Sequence, residues 1–296
     1  MYRLFMCTRK FDVLKLCILL LAIQSSHVYA DKVSKERQFA IPLKALYQLR
    51  IVAEHIHTTI MHVDGWDANI MKELHKIQLE FDKSLHELQP SQMIGSNTSL
   101  PIAFKAHHHQ IVRSWRMYQS NLVAIHEHWR EMVKWRNDVR SAHILSQNLV
   151  TDMDAFADGL TTTNVTSKQL YQMSRQVSIL QRMNQHFDLL QTTTRFSEAS
   201  NVLEPLGKDT LLVGKNFQEF VTIYRAGEIA LNEKTKQHLA TNLDTFEQLH
   251  HKVGLILDKS PLVYQILNAL QGNEEIYFAL RQSIDRTIVD YLNLKM

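Results

Sequence analysis

Histidine is abundant among the side chains that could do chemistry here: 15 of the 16 histidines lie beyond residue 30. His107-His108-His109 form a run, His55, His57 and His62 share one segment, and His126 and His128 precede Trp129. A helix offers a metal two ligands on one face only at i, i+3 or i, i+4 spacing. His55 and His62 face the same way but stand too far apart for one ion, and His126 and His128 face apart. The spacing therefore predicts no metal site, and the triple run reads as a solvated, pH-sensitive cap where a helix opens after Pro101. Asp152 and Asp154 read as solvated charges rather than paired catalytic acids. No glycine-rich phosphate loop, G-x-S-x-G or H-E-x-x-H occurs. Both cysteines, Cys7 and Cys17, fall in the first 30 residues, so the remainder has no thiolate nucleophile and no disulfide. These residues predict a protein that is not an enzyme and needs no cofactor.

Aromatic and cationic residues interleave further on. Trp115, Trp129 and Trp135 stand among Arg113, Arg116, Arg130 and Arg136, an arrangement suited to cation–π contacts with a protein partner. Trp129 continues the stripe Leu122, Ile125, Trp129, Met132 and belongs to a core. Trp135 lies off that stripe, so Trp135 and Arg136 are the candidate partner-binding residues.

The elements that must position these groups begin with a leader. Arg3, Arg9, Lys10 and Lys15 form a positive start, and Val13 to Ile23 an apolar run interrupted only by Lys15. Val28-Tyr29-Ala30 suits a signal peptidase. The run is too short for the roughly 20 residues a helical span needs. Residues 1–30 are thus expected to be a signal peptide, with an uncleaved N-terminal membrane anchor as the alternative, and the rest to be periplasmic. The full chain has 33 Lys+Arg and 30 Asp+Glu; the leader holds four and one of these, which leaves 29 of each. A neutral exported domain has no electrostatic footprint for nucleic acid.

Periodicity sets the fold class. Leu46, Leu49, Ala53, Ile56, Ile60 and Val63 step by three and four. Ile70, Leu74, Ile77, Phe81, Leu85 and Leu88 do the same, as do Leu170, Met173, Val177, Leu180, Met183, Phe187 and Leu190. No stretch alternates for long enough to make a strand. Breaks fall at Asp64-Gly65-Trp66-Asp67, from Gln89-Pro90 to Leu100-Pro101, from Gly159 to Ser167 (a candidate N-cap), near Thr192 to Ser197, from Ala226-Gly227 to Asn232, and at Ser260-Pro261. The pattern predicts an all-α chain of about eight amphipathic helices in two tandem four-helix bundles, one over residues 31–160 and one over 161–296. Leu46-Tyr47-Gln48 and Leu170-Tyr171-Gln172 open corresponding stripes in the two halves.

Several segments also carry a resemblance. Leu49-Arg50-Ile51-Val52-Ala53-Glu54-His55-Ile56 resembles the "LRVLSQRI" opening of the PilJ-type domain, the N-terminal domain of type IV pili methyl-accepting chemotaxis transducers. Arg175-Gln176 through Arg182-Met183 is similar to its second copy, "RQxxxxxxRI". Leu206-Gly207-Lys208-Asp209-Thr210-Leu211-Leu212 resembles "GRDxxLF", and Leu257-Asp258-Lys259-Ser260-Pro261-Leu262-Val263 resembles "ILETSPDLF". The likeness runs from about residue 35 to 294. His55 stands where the family has its second arginine of the first copy, and the family's second membrane helix, HAMP linker and methylated helix have no counterpart before Met296.

The resemblance implies the input half of a pilus-linked chemoreceptor, a sensory module in contact with pilin or a membrane chemoreceptor. By analogy with the distantly related nitrate and nitrite sensor domains, it also implies an alternative: a small-anion site using Arg50, Arg175 and Arg182, whose guanidinium groups suit an oxyanion. A fragment of a longer receptor is a further reading, and a homodimer through stripes the bundles leave unused is compatible with the pattern.

Overall fold

The computed structural model describes residues 30–62, 66–88, 102–161 and 165–293, with the side chains of 30–39, 102 and 103 left aside. The expected leader with Cys7 and Cys17, the Asp64-Gly65 turn, the 89–101 loop and residues 162–164 of the mid-chain break lie outside the described residues. Among the described residues there are seven helices and no strand, so the chain is all-α. They are α1 (Ala30–Met61), α2 (Ala68–Glu87), α3 (Ile102–Leu160), α4 (Ser167–Thr192), α5 (Phe196–Arg225), α6 (Glu233–Asp258) and α7 (Ser260–Asn293).

Local chemistry explains most of the boundaries. Asp67 caps α2 by accepting from the Asn69 and Ile70 amides at 2.8 and 2.7 Å. Thr166, not Ser167, caps α4, in a reciprocal capping box with Gln169. Gly227, with φ of 77°, supplies the left-handed residue after α5. Among the described residues, the first half holds three helices where four are expected. No glycine or proline occurs between residues 102 and 158, so nothing interrupts α3, which runs for 59 residues, about 90 Å at 1.5 Å per residue.

Helix α3 organises everything else. His107 meets Asp290, Asn121 faces Gly272, Trp135 meets Ile256, Met153 meets Asn242, and Gly159 faces Thr235. These pairings step in opposite directions along the chain, so α7 and α6 together run antiparallel along the whole of α3. Helices α1 and α2 complete one four-helix bundle with the N-terminal half of α3 and the C-terminal half of α7. Helices α4 and α5 complete the other with the C-terminal half of α3 and with α6. The expected stripes form the interiors: Leu46, Leu49, Ile56 and Ile60 in the first bundle, and Leu180, Met183, Phe187 and Leu190 in the second, are all fully buried.

Two bundles are therefore present, but they are not in tandem, and the expected division into residues 31–160 and 161–296 needs correction. The break after Leu160 turns α3 into α4 at the far tip of the second bundle; it is not a linker. The second bundle is inserted between the parts of the first, because α7 returns to pack on α1 and α3. Arg50 beside Asp285 and His57 beside Tyr277 show α1 antiparallel to α7. By this register the end of α7 is level with about residue 42 of α1, and α1 extends beyond it, away from the inserted bundle.

Candidate functional site

Where the two bundles meet, α3 must change partners, and α6 must pass into α7. Pro261 forces the second event. It has no N–H, so the Leu257 carbonyl loses its helical donor; the Ser260 hydroxyl donates to that carbonyl instead, at 2.7 Å. One residue earlier, the Ile256 carbonyl accepts the Trp135 indole N–H at 3.1 Å. The Lys259 carbonyl restarts the ladder by accepting from Leu262 and Val263, both at 3.1 Å. Pro261 sits in the first turn of α7, where a missing N–H is tolerated. The break is thus stitched from the side by α3.

Two neighbours of Trp135 extend the joint. Each helical residue turns about 100°, so Trp135 and Asp138 project within about 60° of each other while Arg136 points elsewhere. Asp138, 6% exposed, accepts from Lys252 Nζ at 2.9 Å through Oδ1 and from Lys259 Nζ at 2.8 Å through Oδ2. Burial pushes the Asp138 carboxyl upward, but the hydrogen bonds and charges of Lys259 and Lys252 outweigh it and hold it below its ordinary value. Arg136, also buried, donates to the Thr193 carbonyl at 2.6 Å. Thr193 lies in the turn between α4 and α5, where its hydroxyl accepts from the Arg195 amide and donates to Glu198. Three residues within four positions of α3 therefore tie together α6, the α6–α7 break and the α4–α5 turn.

This placement corrects the expectation for Trp135 and Arg136. Trp135 is 0% exposed, so its indole is spent inside the protein and no face of it meets a partner. The interleaved arginines and tryptophans make one cation–π contact, Arg130 over Trp129 at 5.3 Å. The histidine run is no solvated cap either. It lies inside α3, with His107 bound to Asp290 at 2.8 Å and His108 buried, its pKa lowered by that burial; only His109 is exposed to solvent.

The three anion candidates are not brought together. Arg50 lies in the first bundle with Nε 3.4 Å from Asp285, both side chains about two-fifths exposed. Arg175 and Arg182 lie on α4 in the second bundle, two turns apart. Arg175 is exposed. Arg182 grips Asp209 of α5 with both Nε and a terminal nitrogen, and Asp209 is buried. That edge of the guanidinium is committed to an internal carboxylate, although the Arg182 side chain is 52% exposed. Arg182→Met is expected to lower stability by about 2 kcal/mol, since it leaves Asp209 buried without its counter-charge. Urea denaturation followed by circular dichroism reads this, and an unchanged midpoint would show the pair to be incidental.

Asp138, Lys252, Lys259 and Thr193 were not singled out from the sequence. The usable signal was Ser260-Pro261: a proline inside an otherwise unbroken stripe calls for side chains that satisfy the carbonyls it orphans. No described helix is long and apolar enough to cross a membrane, and no described group of three or more His, Cys, Asp or Glu could hold a metal.

No family model matches the chain, and neither does any curated protein. Among solved structures, the sensor domain of the V. parahaemolyticus histidine kinase sensor TorS is similar with a TM-score of 0.43 and 9% identity, over 84% of this chain and 99% of that one. A likeness of that degree carries no argument about family or function.

Proposed function

We propose that this protein is a non-enzymatic, exported sensory or binding module that contacts a protein partner, pilin or a membrane chemoreceptor. The joint around Trp135, Arg136 and Asp138 carries this reading. A chain built only to be a rigid spacer gains nothing from interrupting one of its two long rods at Pro261 and re-stitching the break with side chains of the other. An interrupted rod beside a continuous one can shear. Binding at the inserted bundle would bias one of two registers at the joint, and the first bundle would present the shift to the partner.

The test is site-specific photo-cross-linking of the exported full chain. Cross-linkers replace exposed residues of the second bundle (Tyr171, Leu211) and of the first (Phe278, Val289), and adducts are identified by mass spectrometry. A pilin or membrane chemoreceptor captured from either set is the expected result. Recovery of only the protein itself, or of nothing, from all four positions would overturn the partner reading.

A further inference from the structure

The second bundle holds two carboxamides that the joint does not use. Gln176 of α4 and Asn242 of α6 are each 0% exposed. Gln176 Nε2 donates to the Val213 carbonyl over a long 3.4 Å, and Asn242 Nδ2 meets only the Met153 sulfur, also at 3.4 Å. The two side-chain oxygens have no hydrogen-bond partner. A thioether is a weak acceptor, so each amide presents an unfilled acceptor beside a donor that is poorly used. Buried polar atoms left in this state call for an explanation.

Their positions converge. In the second bundle α3 and α5 each pack against both α4 and α6, so α4 and α6 stand diagonally opposite. Met153 opposite Asn242, Ser146 opposite Leu180 and Gln176 opposite Val213 place the two amides within about one helical turn of the same level. Around them stand Met153, Met173, Leu180, Val213 and Leu239, all buried and uncharged.

Outside the two amides, the seam between α5 and α6 carries a surface groove that Lys215 and Glu247 help to line. The groove, of about 500 Å³, is also lined by Gly214, Phe217, Leu243 and Phe246. Phe246 follows Asn242 by one helical turn and is 9% exposed. Its ring lies against Gly214, so close that a Cβ on that residue would come within 3.0 Å of it, and 5.3 Å from the Phe217 ring. The missing side chain at Gly214 makes room for the Phe246 ring in the seam.

We propose that this interior is a ligand site for a small, neutral carboxamide- or urea-type compound, held by Gln176 and Asn242 and admitted past Phe246. A neutral ligand follows from walls that offer dipoles but no counter-charge. An amide edge follows from complementarity, since a carboxamide places N–H and C=O side by side and is best matched by another. The proposal names the ligand of the sensory module and so rests on that reading.

Benzamide is the probe, because its ring can replace that of Phe246 in the seam while its amide reaches inward. Acetophenone, of nearly the same shape but without N–H, is the control. The readout is the side-chain NH2 signals of Gln176 and Asn242 in 1H–15N spectra of the full chain. Benzamide is expected to shift both signals saturably and acetophenone to shift neither. Phe246→Ala is expected to bind benzamide about tenfold more tightly, and Gln176→Leu with Asn242→Leu to lose at least about tenfold in affinity. The leucine pair removes unpaired buried polar atoms and is expected to stay folded; Phe246→Leu stands in if the alanine variant loses helicity. No saturable shift in either wild type or the opened variant, or equal shifts from acetophenone, would overturn the proposal. A null result with a partner captured by cross-linking strikes this site alone, whereas benzamide binding with no captured partner strikes only the partner reading.

Discussion

Trp135→Ala is expected to lower stability by about 3–5 kcal/mol, the range for truncating a large buried aromatic. The indole is 0% exposed, among the largest fully buried side chains, and it sits where both bundles depend on it. Against a typical net stability of about 5–15 kcal/mol for a folded domain, that loss is enough to change how the protein unfolds. The wild-type chain is expected to unfold in one urea transition. Because the joint is the tie between the bundles, the variant is expected to separate into two transitions by circular dichroism.

Trp135→Phe divides the effect into its causes. Phenylalanine keeps most of the ring but has no N–H, so the Ile256 carbonyl beside the Pro261 break loses its donor. An unsatisfied buried carbonyl costs about 1–3 kcal/mol. If the phenylalanine variant matches wild type in both midpoint and cooperativity, the indole acts through volume alone and the stitching of the break is incidental.

Trp135 also shows how far the sequence could be read. Alternating steps of three and four along the stripe Leu122, Ile125, Trp129, Met132 pass Trp135 by and leave it outside. The buried positions are instead Ile125, Met132, Trp135, Val139 and Ala142, with Trp129 only half-buried. Two successive steps of three, from Trp129 through Met132 to Trp135, shift the phase of the apolar face. The shift falls where α3 leaves the company of α7 for that of α6, so the stripe turns because its partners change. The all-α class and the stripes of α1, α2 and α4 needed only local periodicity and were legible. The insertion of one bundle into the other depends on α7 returning to α1, a long-range pairing that no local pattern announces. Arg182 and Asp209 illustrate the same limit: each was visible, but only the fold reveals that they satisfy each other.

Asp138→Asn is the second large effect, expected at about 2–3 kcal/mol at pH 7. Removing one partner of a fully buried ion pair costs about 3–5 kcal/mol; the value here is set lower because Lys252 and Lys259 keep 33% and 22% side-chain exposure and can turn toward water. The sign of the pH dependence follows from the depressed carboxyl. A group whose folded pKa lies below its unfolded value contributes stability that is complete above the unfolded value and lost as the pH falls through the folded one. The gap between wild type and Asp138→Asn should therefore be full at neutral pH and close as the pH falls below the ordinary value of 3.8. A gap equally wide at pH 7 and below the folded titration would show that shape, not charge, is what Asp138 supplies. Geometry makes the charge more than a stabilising contact. Lys252 on α6 and Lys259 just past its end are two helical turns apart, and Asp138 bridges them with separate oxygens. Sliding α3 along α6 in either direction strengthens one pair only by breaking the other, so the carboxylate centres the register of the joint. Lys252→Met and Lys259→Met should then bias the joint in opposite directions, which distances between spin labels on α3 and α6 would report as shifts of opposite sign. Shifts of the same sign, or none, would mean that Asp138 holds the joint together without setting its register.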